Sequence, residues 1–454
     1  MSNDNLKIRT IDYRRQDVFR VVDELLVLLS PRGDVVSEAG RQRTIDVFGK
    51  SLTPRQVVQQ ICSDVRLSGI SAVIDYGVRI DKANITPGTL RVPQEDLAAA
   101  HQEVDQGFLA TIRRIRDNIQ AFQTAILHQD IKLPTPHGGF LRQRYIPLRR
   151  VGICVPGGMA AYPSTLLMTA VPAQAAGVRE LAVVAPPTPF GAYNRNLLAT
   201  CHELGIDEVY RVGGAQAVAA LAYGVEGMER VDKIVGPGNQ FVALAKQHVY
   251  GDVDIDSIAG PSEVVVVADD TCRADFVAAD LIAQAEHAPG SSILVTASEQ
   301  LWKDTLKELQ RQLGRLERSE LARESLEAFG ALILVADDAM ATALTNHIAP
   351  EHLQIALSDA EQRVTDFNNA GAIFVGNYSP VAVGDYFAGP SHVLPTGGTA
   401  RFASGLSAND FLRGGSVIHY TTGDLAAAAE DIGTLADQEG LTAHRASVDI
   451  RLEE

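Results

Sequence analysis

The sequence predicts an α/β protein with two doubly wound parallel sheets in series, a helical arm before them and a short segment after them. Three observations carry this. From Arg149 onward, short apolar runs alternate with amphipathic stretches, the pattern of parallel strands joined by right-handed helical crossovers. A second series of the same kind opens at Ser262. The chain has 454 residues, too many for one ordinary core.

Taken in order, residues 1–45 read as the arm. VFRVVDELLVLL (Val18–Leu29) is strongly amphipathic, and SPRGD breaks it. Such an arm packs on its own domain or reaches a partner subunit. Helical patterns follow at 53–77, interrupted near Gly69, and at 94–127, after the turn at Pro87-Gly88. VGICV (151–155) is a buried strand, turned by Pro156-Gly157-Gly158 into a helix around 165–176. ELAVVAPP is the next strand, with a helix from about 193 to 204. EVYRV (208–212) passes through Gly213-Gly214 into AQAVAALAYG, and DKIV (232–235) passes through Gly236-Pro237-Gly238-Asn239 into FVALAKQHVY. The second series holds SEVVVVADD, SILVTA, ALILVADD and GAIFVGN, with helices between them. After Gly376 no further strand is expected. Residues 377–407 are rich in Gly, Pro and Ser and read as a long, functional loop. The tail from Gly423 holds one amphipathic helix and then EGLTAHRASVDIRL. The expected division is an arm at 1–45, a discontinuous domain of 46–149 with 262–406, an inserted domain at 150–261, and a C-terminal segment at 407–454.

Composition excludes several classes. Hydrophobic residues at 46% and charged residues at 21% describe an ordinary globular chain. A formal charge of −16 argues against nucleic acid as a partner, since phosphate binding wants a basic face. Residues 1–17 carry no apolar signal region, and no apolar run is long enough to span a bilayer. Cys62, Cys154, Cys201 and Cys272 match no zinc or disulfide spacing, which fits a reducing cytoplasm.

Polar clusters carry the chemistry. In residues 274–292, Phe276, Val277, Leu281 and Ile282 recur at helical spacing, and Pro289 and Gly290 stop the helix. Gln284 and His287, three apart, share a helix face, so an amide oxygen and an imidazole can aim at one spot. Most such pairs are solvated helix ends; a metal site needs further ligands. Glu351-His352 sets two natural bases side by side before a strand, with Pro350 holding them in a loop rather than on a solvated helix. An exposed charged pair is the plainer alternative. Asp385 and His392 share the long loop; aspartate is a good zinc ligand or, more plainly, an Asx turn. Glu439 and His444 lie in the tail, where a lone histidine is usually a surface residue. His347 and His419 read as structural. Three glycine turns sit where strands enter helices. GPGNQF, the closest to a dinucleotide fingerprint, has Phe241 at the third glycine position. Singly these are tight turns; together, with Gln216 and Asn239 nearby, they leave a nucleotide site open.

RVGGAQAVAALAYG, VDKIVGPGN, AGPSE, QAEH, APEHL, GDYFAGPSHVLPT and EGLTAH, in this order, resemble histidinol dehydrogenase. The resemblance covers about Arg41 to Leu452. It implies two Rossmann-like domains and oxidation of L-histidinol to L-histidine with two NAD and one water. It implies one Zn2+ per subunit on Gln284, His287, Asp385 and His444. Ser262, His352, His392 and Glu439 are implied around the substrate with those ligands, Glu351 and His352 as the acid–base pair, and Gln216 and Asn239 on NAD. It also implies a homodimer in which the C-terminal dimerisation segment completes the neighbour's site. One departure stands out: relatives often carry tyrosine where this chain has Cys154, which leaves the nucleotide contact there in doubt. A related zinc and NAD enzyme acting on another polar alcohol, such as a sulfonated diol, is the rival; Glu439 suits an ammonium and opposes a sulfonate.

Overall fold

The computed structural model describes residues 6–29, 38–158, 160–287, 290–316 and 319–453. The expected breakers SPRGD and Pro289 lie outside them. The fold is α/β with parallel sheets, as the strand–helix alternation predicts.

The strands are β1 (Arg9–Asp12), β2 (Ile131–Pro134), β3 (Phe140–Pro147), β4 (Arg150–Cys154), β5 (Glu180–Ala185), β6 (Glu208–Arg211) and β7 (Lys233–Val235). They continue with β8 (Asp254–Ile255), β9 (Ser262–Ala268), β10 (Gly290–Thr296), β11 (Ala331–Leu334), β12 (His352–Ala356), β13 (Ala372–Val375) and β14 (Leu412–His419). One sheet runs β6-β5-β4-β7-β8, all parallel. The chain starts in the middle, steps outward twice, then returns past its first strand, so the order reverses between β4 and β7. A second sheet runs β1-β11-β10-β9-β12-β13, also parallel, and reverses between β9 and β12.

Val264–Val267 show why this second sheet holds. Strands buried on both faces read as continuous apolar runs. Val264 and Val266 pack on one face with Leu281 and Ile282; Val265 and Val267 pack on the other with Val22, Ile293 and Ile355. All four valines are at most 2% exposed.

Three findings differ from the sequence expectations. First, the arm contributes a strand. β1 pairs with β11, and the Val18–Leu29 helix covers the same sheet through Val18, Val22 and Leu25, so the arm packs on its own chain. Second, the helices Pro54–Ser68, Ile70–Asp81, Gln94–Glu103 and Gln106–Ala125, grouped with the later sheet by sequence, pack on the earlier one. Val57, Ile61 and Val65 meet Val218 and Ala245, and Leu109 and Ile119 meet Leu166 and Leu167. Nearness along the chain did not decide which apolar face they cover. Third, strands do not stop after Gly376. β14 pairs with β3, and β3 with β2, in a small antiparallel sheet whose glycines and exposed polar residues hide it from a hydrophobicity pattern.

The link between the two large sheets positions the site. β8 ends at Ile255 and β9 begins at Ser262. The six residues between them span at most about 20 Å. They tie the carboxyl edge of the first sheet to the amino edge of the second.

Candidate active site

Ser262 and Glu263 open β9, and His352 opens the adjacent β12, in register with Val264. Parallel pairing therefore delivers these side chains, with Glu351 just ahead of His352, to one sheet edge. The Ala274–Ala285 helix runs back against the strands and brings Gln284 to the same edge. His287 lies two residues beyond that helix, not within it as the spacing predicted. Its N–H still reaches the Gln284 carbonyl at 3.2 Å, so the turn keeps the two residues together. Asp385 comes from the short helix Val381–Tyr386 inside the expected loop.

The hydrogen bonds form one network. Gln284 Nε2 donates to Ser262 Oγ at 2.8 Å. Ser262 Oγ donates to Glu351 Oε2 at 2.6 Å, and the Glu263 N–H donates to the same oxygen at 2.9 Å. His352 Nδ1 stands 3.0 Å from the Glu263 carbonyl oxygen. A carbonyl only accepts, so Nδ1 carries the hydrogen and Nε2 keeps the lone pair in the neutral ring. Nε2 is buried without a partner and faces Asp385 Oδ1 at 3.8 Å. His392 has the same tautomer by the same logic, with Nδ1 3.0 Å from the Asp385 carbonyl oxygen.

Burial sets the protonation. It pushes the Glu351 carboxyl up to about 8, against the Ser262 hydroxyl and Glu263 N–H, which favour the anion. Burial lowers the His352 pKa, which keeps its ring neutral and basic near neutral pH. It raises Asp385 and lowers His392 to about 4. His352, Phe374, Asp385, Ser391 and His392 line a cavity of about 220 Å3. A neutral imidazole base and a carboxyl of raised pKa beside a cavity suit proton abstraction from a bound polar molecule.

A metal fits part of this edge. Gln284 is 3% exposed, and with Nε2 bonded to Ser262 its Oε1 is left buried and unpartnered. An unpaired amide oxygen, with His287 held to the same helix end and Asp385 across from His352 Nε2, offers the oxygen and nitrogen donors that zinc accepts. Among the described residues, no three His, Cys, Asp or Glu side chains of this chain converge as a metal cage. His444 and Glu439 do not join the cluster through any hydrogen bond or ion pair among the described residues. Both are exposed, at the Thr442–Asp449 helix and at the end of the Thr422–Gln438 helix against which it packs.

The residues expected to meet a nucleotide follow strands of the other sheet: Cys154 ends β4 and Asn239 follows β7, at the strand-order reversal, and Gln216 follows β6 on the outer side. Gly236 takes φ +104°, and a Cβ there would fall 2.2 Å from the Cys154 carbonyl oxygen, so β7 leaves the sheet by a turn only glycine allows. Cys154 points its sulfur into the core, where burial pushes the thiol up to about 12. Asn239 Oδ1 caps the Gln240–Val249 helix by accepting from the Phe241 and Val242 N–H groups. Gln216 is buried, and its Nε2 donates to Asp81 Oδ2 at 3.1 Å. The other cysteines, Cys62, Cys201 and Cys272, are buried with raised pKa values, so none presents a thiolate. His347 pairs with Asp23 and His419 stacks on Phe140, away from the network, as expected of structural histidines.

Sequence reasoning missed Glu263. It is 3% exposed, and its Oε1 accepts the Gly397 N–H at 2.8 Å. The available signal was a lone carboxylate heading a run of buried valines, a place where an acid needs partners.

Comparison with known proteins identifies relatives along nearly the whole chain. The histidinol dehydrogenase family model matches residues 50–452. The chain is 58% identical to the histidinol dehydrogenase of Rhodopirellula baltica, covering 98% of each chain. It is 46% identical to that of Heliobacterium mobile, covering 91% of this chain and 96% of the relative. The crystal structure of histidinol dehydrogenase from Elizabethkingia anophelis matches with a TM-score of 0.88 at 32% identity, covering 99% of each chain. On these matches, which run over nearly the whole chain, the chain belongs to the histidinol dehydrogenase family and is an oxidoreductase of histidine biosynthesis.

Proposed function

We propose that this enzyme oxidises L-histidinol through L-histidinal to L-histidine, consuming two NAD and one water, with one zinc ion per subunit. The observation that carries the reading is the buried Glu351–His352 pair, in which His352 Nε2 is the unpartnered nitrogen. When bound, zinc on Gln284, His287, Asp385 and His444 of the partner subunit would orient the substrate nitrogens, and NAD would accept hydride.

The chain's own residues do the rest. His352 Nε2 takes the carbinol proton as the alcohol is oxidised. Glu351, as carboxylate, takes a proton from the water that adds to the aldehyde. His352 then takes a proton from the hydrate in the second oxidation. Ser262 holds Glu351 and Gln284 in one chain of hydrogen bonds. The proposed substrate contacts are Ser262, Gln284, His287, His352, Asp385, His392, Glu439 and His444. Glu439 supplies the carboxylate for the substrate ammonium. Cys154, through its main chain, Gln216 and Asn239 face NAD.

A homodimer with crossed tails follows from the same reading. Ile131, Leu133, Ile418, Leu435 and Ile450 are all more than half exposed on the antiparallel sheet and the tail, an apolar surface that a second copy would cover. Among the described residues no helix is long and apolar enough to cross a membrane. The four buried, unbridged cysteines fit the cytoplasm.

The test supplies purified enzyme with L-histidinol and NAD and looks for L-histidine by chromatography. Faster turnover of a sulfonated diol than of histidinol would overturn the assignment.

A further inference from the structure

Glu263 touches both catalytic residues and has no role in the chemistry described so far. Its main-chain N–H donates to Glu351 Oε2 at 2.9 Å, and its main-chain carbonyl fixes the His352 tautomer at 3.0 Å. Its side chain turns to the other wall of the site. There Oε1 accepts the Gly397 N–H at 2.8 Å, and the Glu351 and Gly398 N–H groups also favour its anion. Gly397 and Gly398 take φ +62° and +75°, a backbone that glycine adopts without strain, which lets successive N–H groups turn toward one carboxylate. The neighbouring Thr396 hydroxyl accepts the Gly260 N–H at 2.6 Å, tying this turn to the linker that enters β9.

We propose that Glu263 is the positioning residue of the catalytic pair: by clamping the Gly397–Gly398 turn to the starts of β9 and β12, it fixes where the Glu351 carboxylate and the His352 imidazole stand. The proposal rests on the reading of Glu351 and His352 given above. An ordinary buried acid would only hold the fold. Glu263 is also a like charge beside Glu351; burial and the Glu351 charge push its own carboxyl up to about 8. Glu351 faces Glu263 from β9, His352 at the start of β12 and Asp385 from the Val381–Tyr386 helix, and only the first is a carboxylate clamped by the Gly397 turn.

The test uses Glu263→Gln and Glu263→Asp in the full-length enzyme, with zinc content and thermal melting measured beside the kinetics. Glu263→Gln keeps the shape and an oxygen for Gly397 but loses the charge. It should hold wild-type zinc, keep the KM for histidinol within about twofold, and lower kcat about tenfold. The acid limb of aldehyde oxidation should stay in place, because burial and the Asp385 charge are what raise the Glu351 carboxyl. Glu263→Asp keeps the charge but withdraws it from the turn, so kcat should fall with the limb unmoved. Wild-type kcat in Glu263→Gln overturns the proposal. So does a joint loss of zinc affinity, substrate affinity, kcat and melting temperature. If Glu263→Gln does not fold, Glu263→Asp decides alone: wild-type kcat overturns the proposal, and lowered kcat with unchanged KM and zinc upholds it. Glu351→Gln is run in parallel. Full aldehyde oxidation by that variant overturns the reading of Glu351 and this proposal with it, whereas failure of the Glu263 arms alone overturns only the proposal.

Discussion

Replacing Glu351 by Gln separates the two halves of the reaction. The glutamine amide matches the carboxyl in shape and keeps an oxygen for the Ser262 hydroxyl and the Glu263 N–H, which lie 2.6 and 2.9 Å from Oε2. It cannot take a proton from water. With the Glu351 carboxyl at about 8, roughly a tenth of the molecules carry the anion at pH 7 and about nine-tenths at pH 9. Wild-type aldehyde oxidation should therefore rise about tenfold between those pH values and level off above. The variant should lose about 10²–10⁴-fold in this step, and the pH limb should vanish. Oxidation of histidinol to the aldehyde should fall far less. Single-turnover runs with histidinal or histidinol and NAD, read by NADH absorbance, give both rates. Stability depends on pH through the same carboxyl. A carboxyl whose pKa rises on folding from the ordinary 4.5 to about 8 stabilises the fold fully below the lower value. That contribution is lost as pH climbs to the higher one. The variant should thus melt above wild type at pH 9, with the gap closing toward pH 5. An aldehyde-oxidation limb that survives unchanged in Glu351→Gln would refute the reasoning.

Other perturbations follow from the same site. His352→Asn should slow both oxidations by about 10²–10⁴-fold, since each loses its proton acceptor; a variant slowed in one step only would contradict that, in the same single-turnover assay. Glu439→Gln should raise the KM for histidinol with a smaller effect on kcat, and an unchanged KM in steady-state kinetics would remove Glu439 from substrate binding. Gln284→Ala and His444→Ala homodimers should each be nearly inactive and poor in zinc by elemental analysis. Unfolded, mixed and refolded together, they should regain up to about half activity per mixed dimer, because crossed tails leave one site intact. With wild-type refolding as control, no recovery would mean uncrossed tails.

The large sheets were legible because parallel strands buried on both faces must be apolar throughout, as in SEVVVVA and ALIL. The antiparallel sheet was not. FLRQRYIP and LRGGSVIH are largely exposed, and their pairing is decided by each other rather than by a core. β1, the four residues RTID, carries too short a signal to read apart from the helix after it. In the site, Gln284, Glu351, His352 and Asp385 could be named because their residue types suggest chemistry and their motifs resemble a family. Their meeting at the amino ends of β9 and β12 is a matter of sheet order, which no local pattern encodes. Glu263 escaped notice because its role lies in contacts with Gly397, 134 positions away, and in its own main chain. The Asn239 cap and the Gln216–Asp81 bond were hidden for a similar reason: an amide side chain in the sequence does not say which of its two ends is already engaged.

The measurement that bears most directly on the central claim is the electron count. Enzyme, excess NAD and a limiting, known amount of L-histidinol are allowed to react to completion, with NADH read by absorbance and the products separated. The account predicts two NADH and one L-histidine per histidinol consumed. One NADH per histidinol, with histidinal or another two-electron product left over, would contradict it.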